Sequence, residues 1–445
     1  MAANPNDDEE VFDDTPAFID MNSAVEVDVP DANVDDADDD DAMMDDEAMA
    51  DADEALASKM EGAPPTPAAI VDQSKATFNS HTDAVYAVAS HYDLMTHTLS
   101  IASGGGDDRA YLHHVTTSAA ADGTPQLAQT TAPLSHPHTD SISCVAFNTP
   151  YIDADVSGKV QKNLLAVGSY DGSIVLYDPS NGDLVTVLEG PSDVEWTTFH
   201  PKGGTVLLAG SVADGTIWMY HCPSKSCLQV FVGHEGGVTA GAFTPDGKLV
   251  VTVGQDGTCR VWAPKTGMSK HVFRLMEQLG GVGDGQPGPG LTCLAVGGGQ
   301  DGKMAICGGE DGKAYVVHVS GKKLVATLPH FEVKQQQQQH IGDGMDDEDM
   351  EEEARSVEAV GFCPPDVPGT AGWCATGGVD GVLKVWNISS GAAQLRQRCA
   401  REDRPDSGIT RLRWHASLPL VLCSYTDGTV GAWDARSGGM VGSMT

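Results

Sequence analysis

Residues 233–262 read Gly233-His-Glu-Gly-Gly-Val-Thr-Ala-Gly-Ala-Phe-Thr-Pro-Asp-Gly-Lys-Leu-Val-Val-Thr-Val-Gly-Gln-Asp-Gly-Thr-Cys-Arg-Val-Trp262. Three short apolar runs, rich in β-branched residues, are parted by two Asp-Gly turns. Runs this short, bounded by turn residues, predict strands rather than helices. The glycine of each turn supplies a left-handed backbone, and the aspartate hydrogen-bonds its own turn.

The pattern recurs on both sides. Turns stand at Asp107-Asp108, Asp171-Gly172, Asp214-Gly215, Asp256-Gly257, Asp311-Gly312, Asp380-Gly381 and Asp427-Gly428, spaced by 64, 43, 42, 55, 69 and 47 residues. Six residues after each first aspartate sits His113, Tyr177, Tyr220, Trp262, Val317, Trp386 or Trp433. A period of about 40–45 residues with four strands, a turn aspartate and a closing aromatic resembles the WD40 β-propeller repeat. Gly233-His234 and Trp433-Asp434 match the repeat's own dipeptides. Each repeat is one small sheet that cannot bury both faces alone, so the sheets stack radially.

That resemblance implies a structural role for the repeat residues Asp171, Asp214, Asp311, Asp380, Trp386, Asp427 and Trp433. It also implies a linked histidine, hydroxyl, aspartate and tryptophan set. Only the fourth repeat offers a candidate set, His234, Thr252, Asp256 and Trp262.

The predicted fold is therefore all-β: a WD40 propeller over residues 75–445, preceded by a disordered acidic tail over 1–74. Residues 332–354, with a glutamine tract and an acidic run, are expected to leave the propeller as a loop. Seven sets of inner strands are visible, and eight candidates for an outer strand. One of these, near Ala76-Thr-Phe78, precedes all the repeats. The count leaves two architectures open. One is a seven-bladed ring; the other is an eight-bladed ring whose last three inner strands are absent.

Charge bounds the function. The 445-residue chain carries 64 acidic and 26 basic side chains, a formal net charge of −38. Residues 1–61 contribute −22, the run Asp343–Glu353 contributes −8, and the rest contributes −8. Such a chain is a poor match for nucleic-acid phosphates and a good one for basic proteins. No apolar run approaches the ~18 residues of a membrane span. The N-terminus, Met1-Ala-Ala-Asn-Pro-Asn-Asp-Asp-Glu-Glu10, lacks the features of a signal peptide. The ten cysteines form no Cys-x-x-Cys pair and lie mostly in apolar runs, as expected of small buried side chains in a reducing compartment.

Motifs for chemistry are weak. Gly283-Asp-Gly-Gln-Pro-Gly288 fits a dinucleotide-binding pattern but opens no helix and contains a proline. No catalytic, cofactor or metal-ligating set is assigned, and the expectation is a non-enzymatic binding module without cofactor. The candidate partner-binding residues are acidic positions in the loops entering each inner strand and in the aspartate turns: Asp83, Asp108, Asp140, Asp193, Glu195, Glu235, Glu310 and Glu358. Together they would ring one end of the propeller with negative potential.

The stretch Asp193-Val-Glu-Trp-Thr-Thr-Phe-His-Pro201, with Leu207-Leu-Ala-Gly210 and Asp214-Gly-Thr-Ile-Trp-Met219, resembles the angio-associated migratory cell protein family. Gly104-Gly-Gly-Asp-Asp-Arg-Ala110 and Ser356-Val-Glu-Ala-Val-Gly-Phe-Cys363 add to the likeness. The resemblance implies an eight-bladed ring. It also implies an assembly chaperone in ribosome biogenesis, holding the basic N-terminal segment of a large-subunit ribosomal protein on its acidic top face. It would be a monomer in the cytoplasm, and also in the nucleus. Two alternatives stay open: a general WD40 scaffold or adaptor in signalling or cell migration, and a histone chaperone.

Overall fold

The structure is a computed structural model that describes residues 76–119, 125–152, 161–275, 288–299, 301–331, 355–405 and 407–444. The expected acidic tail, the 332–354 insertion and residues 283–287 of the Gly283–Gly288 motif lie outside these residues.

Among the described residues the chain forms seven four-stranded antiparallel sheets, each a meander in sequence order, with one small extra hairpin. The sheets are the blades of a β-propeller, numbered 1 to 7 along the chain. Their innermost strands are Val85–Asp93, Ile142–Phe147, Trp196–Phe199, Val238–Phe243, Leu291–Gly298, Val357–Phe362 and Ile409–Trp414. Each sequence repeat is thus one blade. Among the described residues the propeller has seven blades, where the resemblance implies eight. Residues 76–80 form no strand; instead the Phe78 ring leans on His113 of blade 1, with ring centres 4.3 Å apart.

Six hydrophobic clusters hold six junctions, one between each consecutive pair of blades. In the junction of blades 4 and 5, for example, Val251, Val261 and Phe273 meet Leu291, Tyr315 and Val317. Alternation along each strand sends successive side chains to the two neighbouring blades. This explains why the middle strands are buried on both faces, as in Thr258–Trp262. Between blades 3 and 4 the indole of Trp196 fills the space that a side chain would take at Gly210 and Gly241; a Cβ there would fall 2.2 and 2.1 Å from the ring.

Hydrogen bonds near the start of the innermost strands add a second link. Ser143 donates to the carbonyl of Val194, and Trp196 Nε1 to that of Val238 at 3.0 Å. Thr239 donates to the Leu291 carbonyl at 2.6 Å, and Thr292 to that of Val357 at 2.5 Å. Each blade from 2 to 5 thereby grips the next one along the chain. Ser143, Thr239 and Thr292 all sit at a β-bulge, which turns the extra side chain sideways toward the neighbour.

All ten cysteines are free, and seven are buried. Burial pushes the thiols of Cys144, Cys293 and Cys399 up to about 11 and that of Cys222 up to about 12. These groups stay protonated and pack as small apolar side chains.

Candidate functional site: the acidic end of the ring

One end of the ring carries the aspartate turns and the loops that enter the innermost strands. In blade 4, Trp262 Nε1 donates to Thr252 Oγ1 at 2.8 Å, and Thr252 lies 2.8 Å from His234 Nε2. His234 Nδ1 then donates to Asp256 at 3.0 Å. Asp256 also accepts from the backbone of Glu235 and from Thr258. The aspartate therefore ties the entering loop to the turn of its own blade.

Blade 6 holds a second complete set, which corrects the expectation of one. Trp386 Nε1 donates to Thr376 Oγ1 at 2.9 Å, Thr376 meets His330 Nδ1 at 2.7 Å, and His330 Nε2 donates to Asp380 at 3.2 Å. Blade 1 builds a variant in which His113 replaces the tryptophan. His81 donates to Asp107 at 2.8 Å and shares Ser103 with His113. The turn acid here is Asp107, while Asp108 is half-buried with a left-handed φ of 59°. Blade 7 replaces the histidine by Arg401, which reaches Asp427 at 3.3 Å; Arg404 adds a contact at 2.8 Å. Trp433 Nε1 there donates to the Tyr425 hydroxyl. In blade 5 the Tyr315 hydroxyl donates to Asp311, and in blade 3 the backbone of Ser192 donates to Asp214.

These bonds favour the charged aspartates. Burial opposes ionisation of Asp256, but hydrogen bonds from His234, Glu235 and Thr258 outweigh it and hold the carboxyl well below its usual range. Asp380 and Asp171 shift down by the same balance. A carboxyl depressed in the folded state stabilises that state above its unfolded pKa of about 4, and the contribution fades as pH falls further. Urea unfolding should therefore show a steep loss of stability below about pH 4. Asp256→Asn should be less stable near neutrality and lose less on acidification. An equally steep acid limb in that variant would contradict the assignment.

The eight candidate acids all lie at this end, in two groups. Asp83, Asp140, Glu235 and Glu310 are exposed. Asp108, Asp193, Glu195 and Glu358 are half-buried. Asp193 is committed to the fold, since it accepts from Ser211 and from the backbone of Ala213. Glu310 is open to solvent although it accepts from the Gly290 backbone at 3.1 Å. Glu195 lies beside Tyr170, whose phenol is raised first by burial and then by this charge. Asp214, a structural turn residue, is also exposed and adds to the negative rim, whereas the charge of Asp427 is met by Arg401 and Arg404.

The WD domain, G-beta repeat family matches residues 225–263. Angio-associated migratory cell protein of Homo sapiens is 31% identical over 388 residues, covering 87% of this chain and 74% of the relative. The protein of that name from Canis lupus familiaris gives the same identity and coverage. Among solved structures, Chaetomium thermophilum Sqt1 bound to the N-terminus of the ribosomal protein L10 has a TM-score of 0.60 at 22% identity, over 84% of this chain and 91% of that one. Saccharomyces cerevisiae Sqt1 has a TM-score of 0.60 at 19% identity, over 83% of this chain and 87% of that one. The structural likenesses show the propeller fold. The sequence likeness, sustained over most of both chains, shows that this chain belongs to the angio-associated migratory cell protein family.

Proposed function

We propose that this chain is a non-enzymatic assembly chaperone, acting in the cytoplasm and nucleus. It holds the basic N-terminal segment of a large-subunit ribosomal protein on the acidic end of its propeller. The observation that carries this reading is the gathering of Asp83, Asp140, Glu235 and Glu310 as exposed carboxylates on one rim, backed by half-buried Asp108, Asp193, Glu195 and Glu358. A rim on which negative charge predominates steers an oppositely charged segment toward it and repels like-charged competitors. The likeness to Sqt1, crystallised with the N-terminus of a ribosomal protein, supports the choice of client.

The test is a pull-down of ribosomal proteins by the full chain, followed by a titration of the recovered client's N-terminal peptide. Raising salt from about 0.05 M to about 0.5 M should weaken binding at least tenfold, because charges on an exposed rim are screened. A complex indifferent to salt, or the recovery of no large-subunit protein, would sink the proposal.

A further inference from the structure

Charge divides the propeller by its ends. In a four-stranded meander the first and third connections lie at one end. The second, which here carries the aspartate turn, lies at the other end with the loop to the next blade. The end away from the acidic rim is therefore built from first and third connections. In blades 3, 4 and 5 each of these six connections holds one lysine: Lys202 and Lys225, Lys248 and Lys265, Lys303 and Lys322. All six are exposed. Lys270 and Lys323, near the start of adjoining outer strands, are exposed as well.

Two acids share these connections, and both are engaged in their own turns. Asp246 accepts from the Thr244 hydroxyl at 2.6 Å and from the Lys248 backbone at 3.0 Å. Asp301 accepts from the Lys303 backbone at 3.0 Å and from His318 at 3.1 Å. Lys225 donates to the Val185 carbonyl at 3.1 Å. Among the described residues none of the eight lysines forms an ion pair. Exposed acids return on the flanking blades, as Asp183 of blade 2 and Asp366 of blade 6.

The backbone supplies an independent observation. The third connection of a blade contains one left-handed position. Blades 2, 4, 6 and 7 fill it with Gly182, Gly267, Gly391 and Gly438, at φ of 76°, 67°, 76° and 75°. Blades 3 and 5 fill it with Lys225 and Lys322, at φ of 55° and 51°. A Cβ makes this conformation costly, and glycine would take it freely. Lysine thus stands at two turns where the fold alone favours glycine, and both turns belong to the basic area. Strain held at a surface position is a mark of function.

We propose that this end of blades 3, 4 and 5 docks an acidic segment of a partner protein, a run of aspartates and glutamates lying across the lysines. Lysine ammonium groups suit carboxylates as freely rotating point charges. Met268, 68% exposed in the third connection of blade 4, offers an apolar foothold beside them. The six connections contain no arginine and no Phe, Tyr or Trp on which bases could stack, which disfavours RNA. A long polyphosphate would also meet the repulsion of the whole chain, at −38. A short peptide in about 0.1 M salt feels mainly charges within about 10 Å. The propeller then has two ends of opposite preference, basic segments at the rim and acidic segments here.

The probe is a fluorescent decapeptide of alternating aspartate and glutamate, titrated against the full chain by anisotropy in about 0.1 M salt. It should bind, and decauridylate, of nearly equal charge, should bind more weakly. The fourfold variant K202Q/K248Q/K265Q/K303Q should weaken the peptide at least about tenfold with an unchanged melting curve, since all four side chains are exposed. K225G/K322G should weaken the peptide about threefold and melt no lower, because glycine relieves the two turns. Failure of the peptide to bind, indifference to the fourfold variant, or tighter binding of decauridylate overturns the proposal. So does a glycine variant that melts lower yet binds the peptide as before, because the two lysines would then serve the fold.

Discussion

Replacing Trp262 by alanine is expected to lower the unfolding free energy by about 3–5 kcal/mol, as for other large buried aromatics. The side chain is 1% exposed, the largest among the fully buried. It packs edge-on against Phe231, with ring centres 5.8 Å apart, within the cluster that joins blades 3 and 4. Two losses combine in the variant. A cavity opens between two sheets, and Thr252 loses a donor while it still faces His234. Trp218 offers the control. It is half-buried and donates only to Thr216 of its own turn, so Trp218→Ala should cost clearly less. Urea unfolding followed by circular dichroism measures both. If the two variants were destabilised equally, the network of blade 4 would carry no special weight.

The second large effect concerns the rim. Exchanging Asp83, Asp140, Glu235 and Glu310 for lysine together should weaken a basic client peptide by about a hundredfold or more, since attraction becomes repulsion at four exposed points. The fold should tolerate the exchange, because no described cation pairs with these four carboxylates. Asp193→Lys must behave differently. It removes the acceptor for Ser211 and Ala213 and should destabilise the junction of blades 2 and 3 first. A fourfold variant that still binds the peptide with native affinity would move the client elsewhere on the propeller.

The blades were legible because each one repeats its own local chemistry. An aspartate turn followed by a strand with a fixed aromatic position requires no knowledge of neighbours. The second complete network is not legible in the sequence because Pro329, not glycine, precedes His330. The role of Arg401 is hidden for a related reason: an arginine can reach Asp427 from a loop of any sequence, so no dipeptide marks it. The rim acids were legible in place but not in duty. Asp193 and Asp140 have the same charge and similar positions in their repeats. Only the partners folded against them separate a structural acceptor from an open charge.

Four of the inter-blade hydrogen bonds described above point the same way, from each blade to the one that follows it in the chain. Each of these four junctions also holds an apolar cluster, so consecutive blades are coupled through nearest-neighbour contacts. Assembly of such an array has a natural polarity. As the polypeptide is synthesised, each of blades 2 to 5 already presents the donor that its successor will satisfy, so order can spread toward the C-terminus through that stretch, whereas Trp414 of blade 7 donates back to Gly361 of blade 6. Blades 2 to 6 thus carry both kinds of link, apolar and hydrogen-bonded, which sets the acidic loops of blades 4 and 5 on doubly tied ground.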